Sequence, residues 1–390
     1  MNTRPSDDED HAKDEMSDGR SLMLRPDEER EGTLSERLIM AYYRTMWRMP
    51  RHKLRISGKM ALRLLAVPVD PIEGDRTQGT ALRMDYFLFR GLRKSLDNID
   101  FADLKLPPAF EDYVHRFLWL RDLDTAASRD QARPIAEKLI GQWLDGNGKR
   151  IKQPAWSPEN CGWRFLLWAS HAPLILSSDD LVYRSKVLSH LSRTARHLDR
   201  TASKANSTMG RLASWSGVVA ASLLLPEGRI RQIVGEDGLQ KAVNEVFFED
   251  GGTVSRSPLN QMDAIVILSL LQQAYLARRL DVPPFVEQAL TRAVPPLRAL
   301  AHYDGKLSAW QGGGATAAEQ VDQVIEASGV QARPLRKARD WGYQRISSGR
   351  TIMIVDAAPP PIARMAVAGC ASTLAFEFSH GSNRIICNCG

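Results

Sequence analysis

GYQRISSGRTIMIVDAAPPP (residues 342–361) and CASTLAFEFSHGSNRIICNC (370–389) break with everything that precedes them. Both are rich in Ile, Val, Thr and Phe and are interrupted by Ser-Gly-Arg or His-Gly-Ser, which are hairpin signals. They predict a sheet of at least four antiparallel strands, a fragment that is marginal alone and must lean on other structure. Upstream, apolar residues recur at intervals of three and four, first in PPAFEDYVHRFLWLRDL and DQARPIAEKLIGQWL within 107–144. The same spacing predicts helices at 162–176, 180–200, 207–226, 236–249, 259–280 and 284–302. Consecutive helices on short joints pack antiparallel, and no strict period of 34 or 40 residues recurs, so an irregular helical array is expected rather than a regular solenoid. The sequence therefore reads as mainly α, with a helical domain at 35–330 and a partial antiparallel β-domain at 331–390.

The bulk properties bound the rest. The chain has 390 residues, 43% hydrophobic and 25% charged, which excludes collagen-like and wholly disordered classes. Residues 1–32 hold 11 acidic against 5 basic positions, a net of −6, so with +6 overall the remainder carries +12. This polar head, 1–34, is expected to be a disordered acidic arm. The segment SERLIMAYYRTMWRMPRHKLRISGKMALRLLAV (35–67) is basic and is split by Pro50, predicting two helices. An interfacial helix on anionic lipid or nucleic acid competes there with a packing element; its aromatic residues lie mainly on the apolar stripe and favour packing, and no nucleic-acid partner is expected. Four cysteines, at 161, 370, 387 and 389, give neither a zinc pattern nor a disulfide scaffold, so no metal and no cofactor are expected. No run approaches the roughly 20 apolar residues of a membrane span, which predicts a cytoplasmic protein as written, with the periplasm or envelope as the alternative.

Motif chemistry is sparse. No phosphate loop, dinucleotide fingerprint, His-Glu-x-x-His or nucleophile elbow occurs, and the GGG at 312–314 lacks the Lys and Ser/Thr of a phosphate loop. His190, Arg193, His197 and Arg200 fall at intervals of three and four on a predicted polar helix face, which reads either as an anion site or as a solvated face. WSPENCGWRFLLWASH (156–171) gathers Trp156, Glu159, Asn160, Trp163, Arg164, Trp168 and His171. Aromatic platforms beside amide and guanidinium donors suit a sugar and its carboxylate, whereas interhelical packing with a helix cap is the plain alternative. FFEDGGTVSRSPLNQ (247–261) places Asp250, Ser255, Arg256, Ser257, Asn260 and Gln261 on a glycine-opened loop before a helix, an anion site in principle or simply a cap and turn.

These stretches, with YYRTMWRMP, FLWLRDL, LLLPEG, HYDGKLSAWQGG and the two strand segments, occur in an order that resembles the heparinase II/III family of polysaccharide lyases, over about residues 35–390. The resemblance implies an incomplete (α/α) toroid followed by the start of an antiparallel β-sandwich. It also implies β-elimination on an anionic, uronic-acid-containing polysaccharide: donors neutralise the uronate, a base removes the C5 proton and an acid protonates the leaving oxygen. In the family pattern a catalytic tyrosine falls on Asn260 and its neighbouring histidine on Gln261, and neither replacement is a general base. His171, His302 and Tyr303 remain as acid/base candidates. Asn160, Trp163, Arg164, Arg256, Asn260 and Gln261 are the expected substrate contacts. Family members continue into further sandwich, expected to supply another histidine, beyond the position of Gly390. A catalytically inactive carbohydrate-binding or envelope-associated relative is the alternative; a hydrolase is disfavoured because no carboxylate pair stands out.

Overall fold

The computed structural model describes residues 63–388 apart from 98, 227, 315 and 362–368. The acidic head, most of the basic segment and Cys389 lie outside the described residues. The chain enters as a strap, residues 63–75, whose Leu65 N–H donates to the Leu224 carbonyl (2.9 Å). Asp75 then caps α1 (Arg76–Arg83), its carboxylate accepting from Thr77 and Gln78 N–H. A short antiparallel hairpin follows, β1 (Tyr86–Phe89) and β2 (Leu92–Ser95). Its turn residues Arg90 and Gly91 both have positive φ, +48° and +80°, as a two-residue hairpin turn requires. With four residues per strand, it gave no usable periodicity in the sequence.

The helical body consists of α2 (Pro108–Arg116), α3 (Trp119–Ala126), α4 (Arg129–Asn147), α5 (Pro158–Ser170), the single turn α6 (Ala172–Ile175), α7 (Leu181–Thr201), α8 (Thr208–Leu224), α9 (Arg229–Val246), α10 (Pro258–Ala277), α11 (Pro284–Ala299) and α12 (Ala318–Ala327). The predicted helix at 162–176 starts earlier, at Pro158, and breaks at His171, because Pro173 begins a new turn. The helix predicted at 236–249 starts at Arg229, since Gly235 and Gly238 had blurred its apolar period. Their role is close contact: a Cβ on Gly238 would lie 2.5 Å from the Trp215 ring of α8. Likewise a Cβ on Gly162 would come within 2.1 Å of the Ala213 carbonyl, so α5 and α8 meet backbone to backbone. Helix α8 is buried along nearly its whole length and forms the centre of the body.

The β-domain is one antiparallel sheet in the order β3 (Tyr343–Ser348), β4 (Thr351–Asp356), β5 (Phe376–His380), β6 (Asn383–Ile386). Alternation along β4 buries Ile352, Ile354 and Asp356, and along β5 it buries Glu377 and Ser379. The inward face is therefore partly polar, and each of its polar groups meets a partner from the helical body. The architecture is mainly α, an incomplete α/α toroid followed by the start of an antiparallel β-sandwich.

Candidate functional site

The residues singled out in the sequence separate into four places. Three of them, Arg256, His302 and Tyr303, lie at the joint between helices and sheet. Arg256 has φ +55° and is buried; its Nε donates to the Trp341 carbonyl (2.8 Å) and its Nη1 to the Pro359 carbonyl (2.6 Å). Its Nη2 pairs with Asp356 of β4, and its guanidinium lies over the Tyr343 ring at 4.9 Å. His302 is buried with Nδ1 2.7 Å from Ser379 Oγ and Nε2 3.0 Å from Ser308 Oγ and 3.3 Å from Glu377 Oε2. Burial opposes the ionisation of Glu377, but His302, the Ala309 and Asn388 N–H groups and Arg384 outweigh it and hold the carboxyl below its usual range. Tyr303 is half exposed and donates to the Gly349 carbonyl at the β3–β4 turn (2.9 Å). All three have their polar atoms committed to holding the sheet.

Arg164 and Trp163 are in the core. Arg164 donates to the carbonyls of His115 (3.1 Å) and Ala155 (2.8 Å) and to Cys161 Sγ (3.1 Å), and stacks over Trp143 and Trp156. The predicted polar face of α7 also turns inward: His190 packs edge-on to Trp143 and Trp156, and His197 Nε2 lies 3.1 Å from the Trp156 carbonyl. Both histidines are buried, while Arg193 is half-buried and donates to the Gly148 and Lys149 carbonyls, so the face is not simply solvated. Gln261 is wholly enclosed, accepting from Thr253 N–H and donating to the Gly251 and Ala293 carbonyls, each at 2.8 Å.

His171 sits elsewhere, at the C-terminal end of α5, in a cleft of about 320 Å³ lined by Asp70, Glu73, Arg76, Arg121, Asp124 and Thr125, with Ile72. Its Nδ1 is 3.0 Å from the Leu167 carbonyl, which can only accept, so the proton is on Nδ1. Nε2 is 4.0 Å from Asp70, whose carboxylate is already held by Arg121.

Asn160 belongs to a fourth place, at the opposite end of α5, and here polar groups do converge near the surface. Its Oδ1 accepts from Arg116 Nε (2.9 Å), while its Nδ2 donates to Asp112 (2.9 Å) and the Pro154 carbonyl (3.1 Å). Arg116 also meets Glu159 (2.6 Å) and Asp112 (3.3 Å). Asp263 completes the cluster from α10, one turn beyond Asn260, whose amide donates to Ser255 Oγ (2.9 Å). Burial pushes the Asp263 carboxyl up to about 6, against the pull of Arg116 and with the push of Glu159. Three carboxylates thus face one guanidinium. Asp112, Arg116 and Asp263 were missed in the sequence; the Asp112–Arg116 spacing of four and the Asn260–Asp263 spacing of three were the available signals, both common on any solvated helix. Arg116→Ala is expected to drive the Asp263 titration further above pH 6, because the compensating cation is lost. A carbon-detected NMR titration of that carboxyl checks this, and an unchanged midpoint would show that Arg116 does not set it.

Among solved structures, a heparinase III crystal structure superposes with a TM-score of 0.59 at 11% identity, covering 89% of this chain and 61% of that one. This is the heparinase III fold. A second heparinase III structure gives a TM-score of 0.51 at 14% identity over 90% of this chain and 60% of its own. Residues 330–390, the heparinase-like sheet region, match the family described as heparinase II/III-like, C-terminal. FtsZ-localized protein C of Caulobacter vibrioides is 27% identical over 323 residues, 83% of this chain and 55% of the relative. The chain thus spans about half the length of that curated relative. Among the described residues no group of three or more His, Cys, Asp or Glu is placed to hold a metal, and no helix is long and apolar enough to cross a membrane.

Proposed function

We propose that this chain is a lyase-fold protein that holds a neutral or amine-bearing envelope glycan at the α2–α5–α10 cluster without cleaving it. The observation that carries this reading is Asn260: the position at which the family resemblance puts the catalytic tyrosine holds an amide, donating to Ser255, which cannot act as a general acid or base. The charge of the cluster supports the choice of ligand. Asp112, Glu159 and Asp263 against Arg116 disfavour a uronate carboxylate and favour hydroxyl or ammonium donors. The printed name of the Caulobacter relative, FtsZ-localized protein C, states a location and no cleavage activity.

The competing reading is β-elimination on a uronic-acid polysaccharide with His171, His302 or Tyr303 as acid and base. It draws on the likeness to heparinase III, and it requires groups that hold the sheet, or that line a separate cleft, to act on one substrate. Affinity electrophoresis separates the two. Retardation by chitosan or chitin oligosaccharides, weakened by Asp263→Asn and Glu159→Gln, is expected, with none by heparin. Retardation by heparin that these substitutions strengthen or leave intact would overturn the reading.

A further inference from the structure

Helix α9 buries Gly235, Gly238, Leu239, Ala242, Val243 and Val246 on one side, facing α8. Its other side begins with Ile230, Ile233 and Val234, which are 80%, 66% and 56% exposed and fall at i, i+3 and i+4. Those positions form one continuous stripe on a helix. Three large aliphatic side chains left in water beside one another on the first turns of one helix call for a cover, whereas scattered singles do not.

The position of the entering chain indicates the cover. The strap at 63–67 is tied by Leu65 N–H to the carbonyl of Leu224, the last residue of α8, and α9 starts five residues later at Arg229. Leu65 and Val67 of the strap are themselves exposed, at 36% and 44%. The described residues begin at this corner of the molecule, at 63. The sequence immediately upstream carries Leu38, Tyr42, Met46 and Met49 at intervals of four, four and three, an apolar stripe of matching period, with Trp47 beside it.

We propose that residues 35–62 of the same chain pack over Ile230, Ile233 and Val234, making the outer face of α9 an intramolecular docking surface. The segment supplies trypsin sites at Arg44, Arg48, Arg51, Lys53, Arg55 and Lys59, which report directly on whether it is covered. In the full-length protein, cleavage at these sites, mapped by mass spectrometry, is expected to be at least about tenfold faster in the double variant Ile230→Asp/Ile233→Asp than in the parent. Both positions are exposed, so the body should keep its fold, which unchanged near-UV circular dichroism verifies. Equal cleavage rates in the two proteins would overturn the proposal. So would unchanged protection accompanied either by loss of a dimer in sedimentation velocity, which assigns the face to a second copy, or by loss of binding to anionic phospholipid vesicles, which assigns it to lipid.

Discussion

Arg256→Ala is expected to destabilise the protein by about 3–5 kcal/mol, the cost of leaving a buried charge without its partner. Asp356 is fully buried, and beyond Arg256 it has the Ser372 hydroxyl (2.6 Å) and the Ala358 N–H (3.3 Å), which cannot neutralise it. The same substitution removes the donors to the Trp341 and Pro359 carbonyls and the cation over Tyr343. Because Arg256 precedes α10 while its partners belong to the sheet region, its loss should release the sheet from the helical body. Urea denaturation followed by tryptophan fluorescence measures the loss. Tyr303→Phe is the contrast: it removes one exposed bond to Gly349 and should cost at most about 1 kcal/mol. A near-neutral Arg256→Ala would show that the joint does not hold the two parts together.

Stability is expected to be nearly level from about pH 6 to 4 and to fall steeply below, for reasons that follow from four buried groups. His115 is held down to about 3, by burial first and then by Arg164; His190 is held well below its usual value by burial, Arg164, Arg193 and His197. A histidine whose folded pKa is depressed stabilises the fold above its unfolded pKa, near 6.5, and that contribution is lost as pH falls toward the folded value. Each such group costs about 1.4 kcal/mol per pH unit in that window. Asp122 and Asp263 act in the opposite sense. Burial raises both to about 6, so between pH 6 and about 4 the folded state takes up their protons first and gains what the histidines lose. Below about pH 4 the aspartates are protonated in both states and only the histidine loss remains. Asp304 and Glu377, both depressed through Arg384 and their hydrogen bonds, add to the loss in the same acid range. Urea midpoints at neutral, mildly acidic and strongly acidic pH would show the plateau and the break; a uniform decline from neutral pH downward would contradict it.

The helical body and the late sheet were legible because apolar spacing and hairpin turns are local signals. The α9 start and the β1–β2 hairpin were not: Gly235 and Gly238 interrupt the period for the sake of close packing on Trp215, and four-residue strands are too short to show one. The site was harder to read. A histidine, arginine or tyrosine with a polar partner looks the same in sequence whether that partner is a substrate or a neighbouring strand. His302 and Arg256 are chemically suited to bind carboxylates and do so, but the carboxylates are Glu377 and Asp356 of the protein itself. Pairings 75 and 100 residues apart depend on how the sheet docks, which no local pattern encodes. The Asp112–Arg116–Glu159–Asn160–Asp263 cluster spans three helices and was invisible for the same reason.

The most direct test of the absence of β-elimination is the absorbance of the unsaturated uronate that this reaction leaves at a new chain end. The full-length protein would be incubated with heparin, alginate, chondroitin and bacterial exopolysaccharides, with an active heparinase III as positive control. No increase above the protein-free baseline is expected for any of them. A time-dependent rise that scales with protein concentration and disappears in His302→Ala or Tyr303→Phe variants of unchanged fold would contradict the reading and establish a lyase.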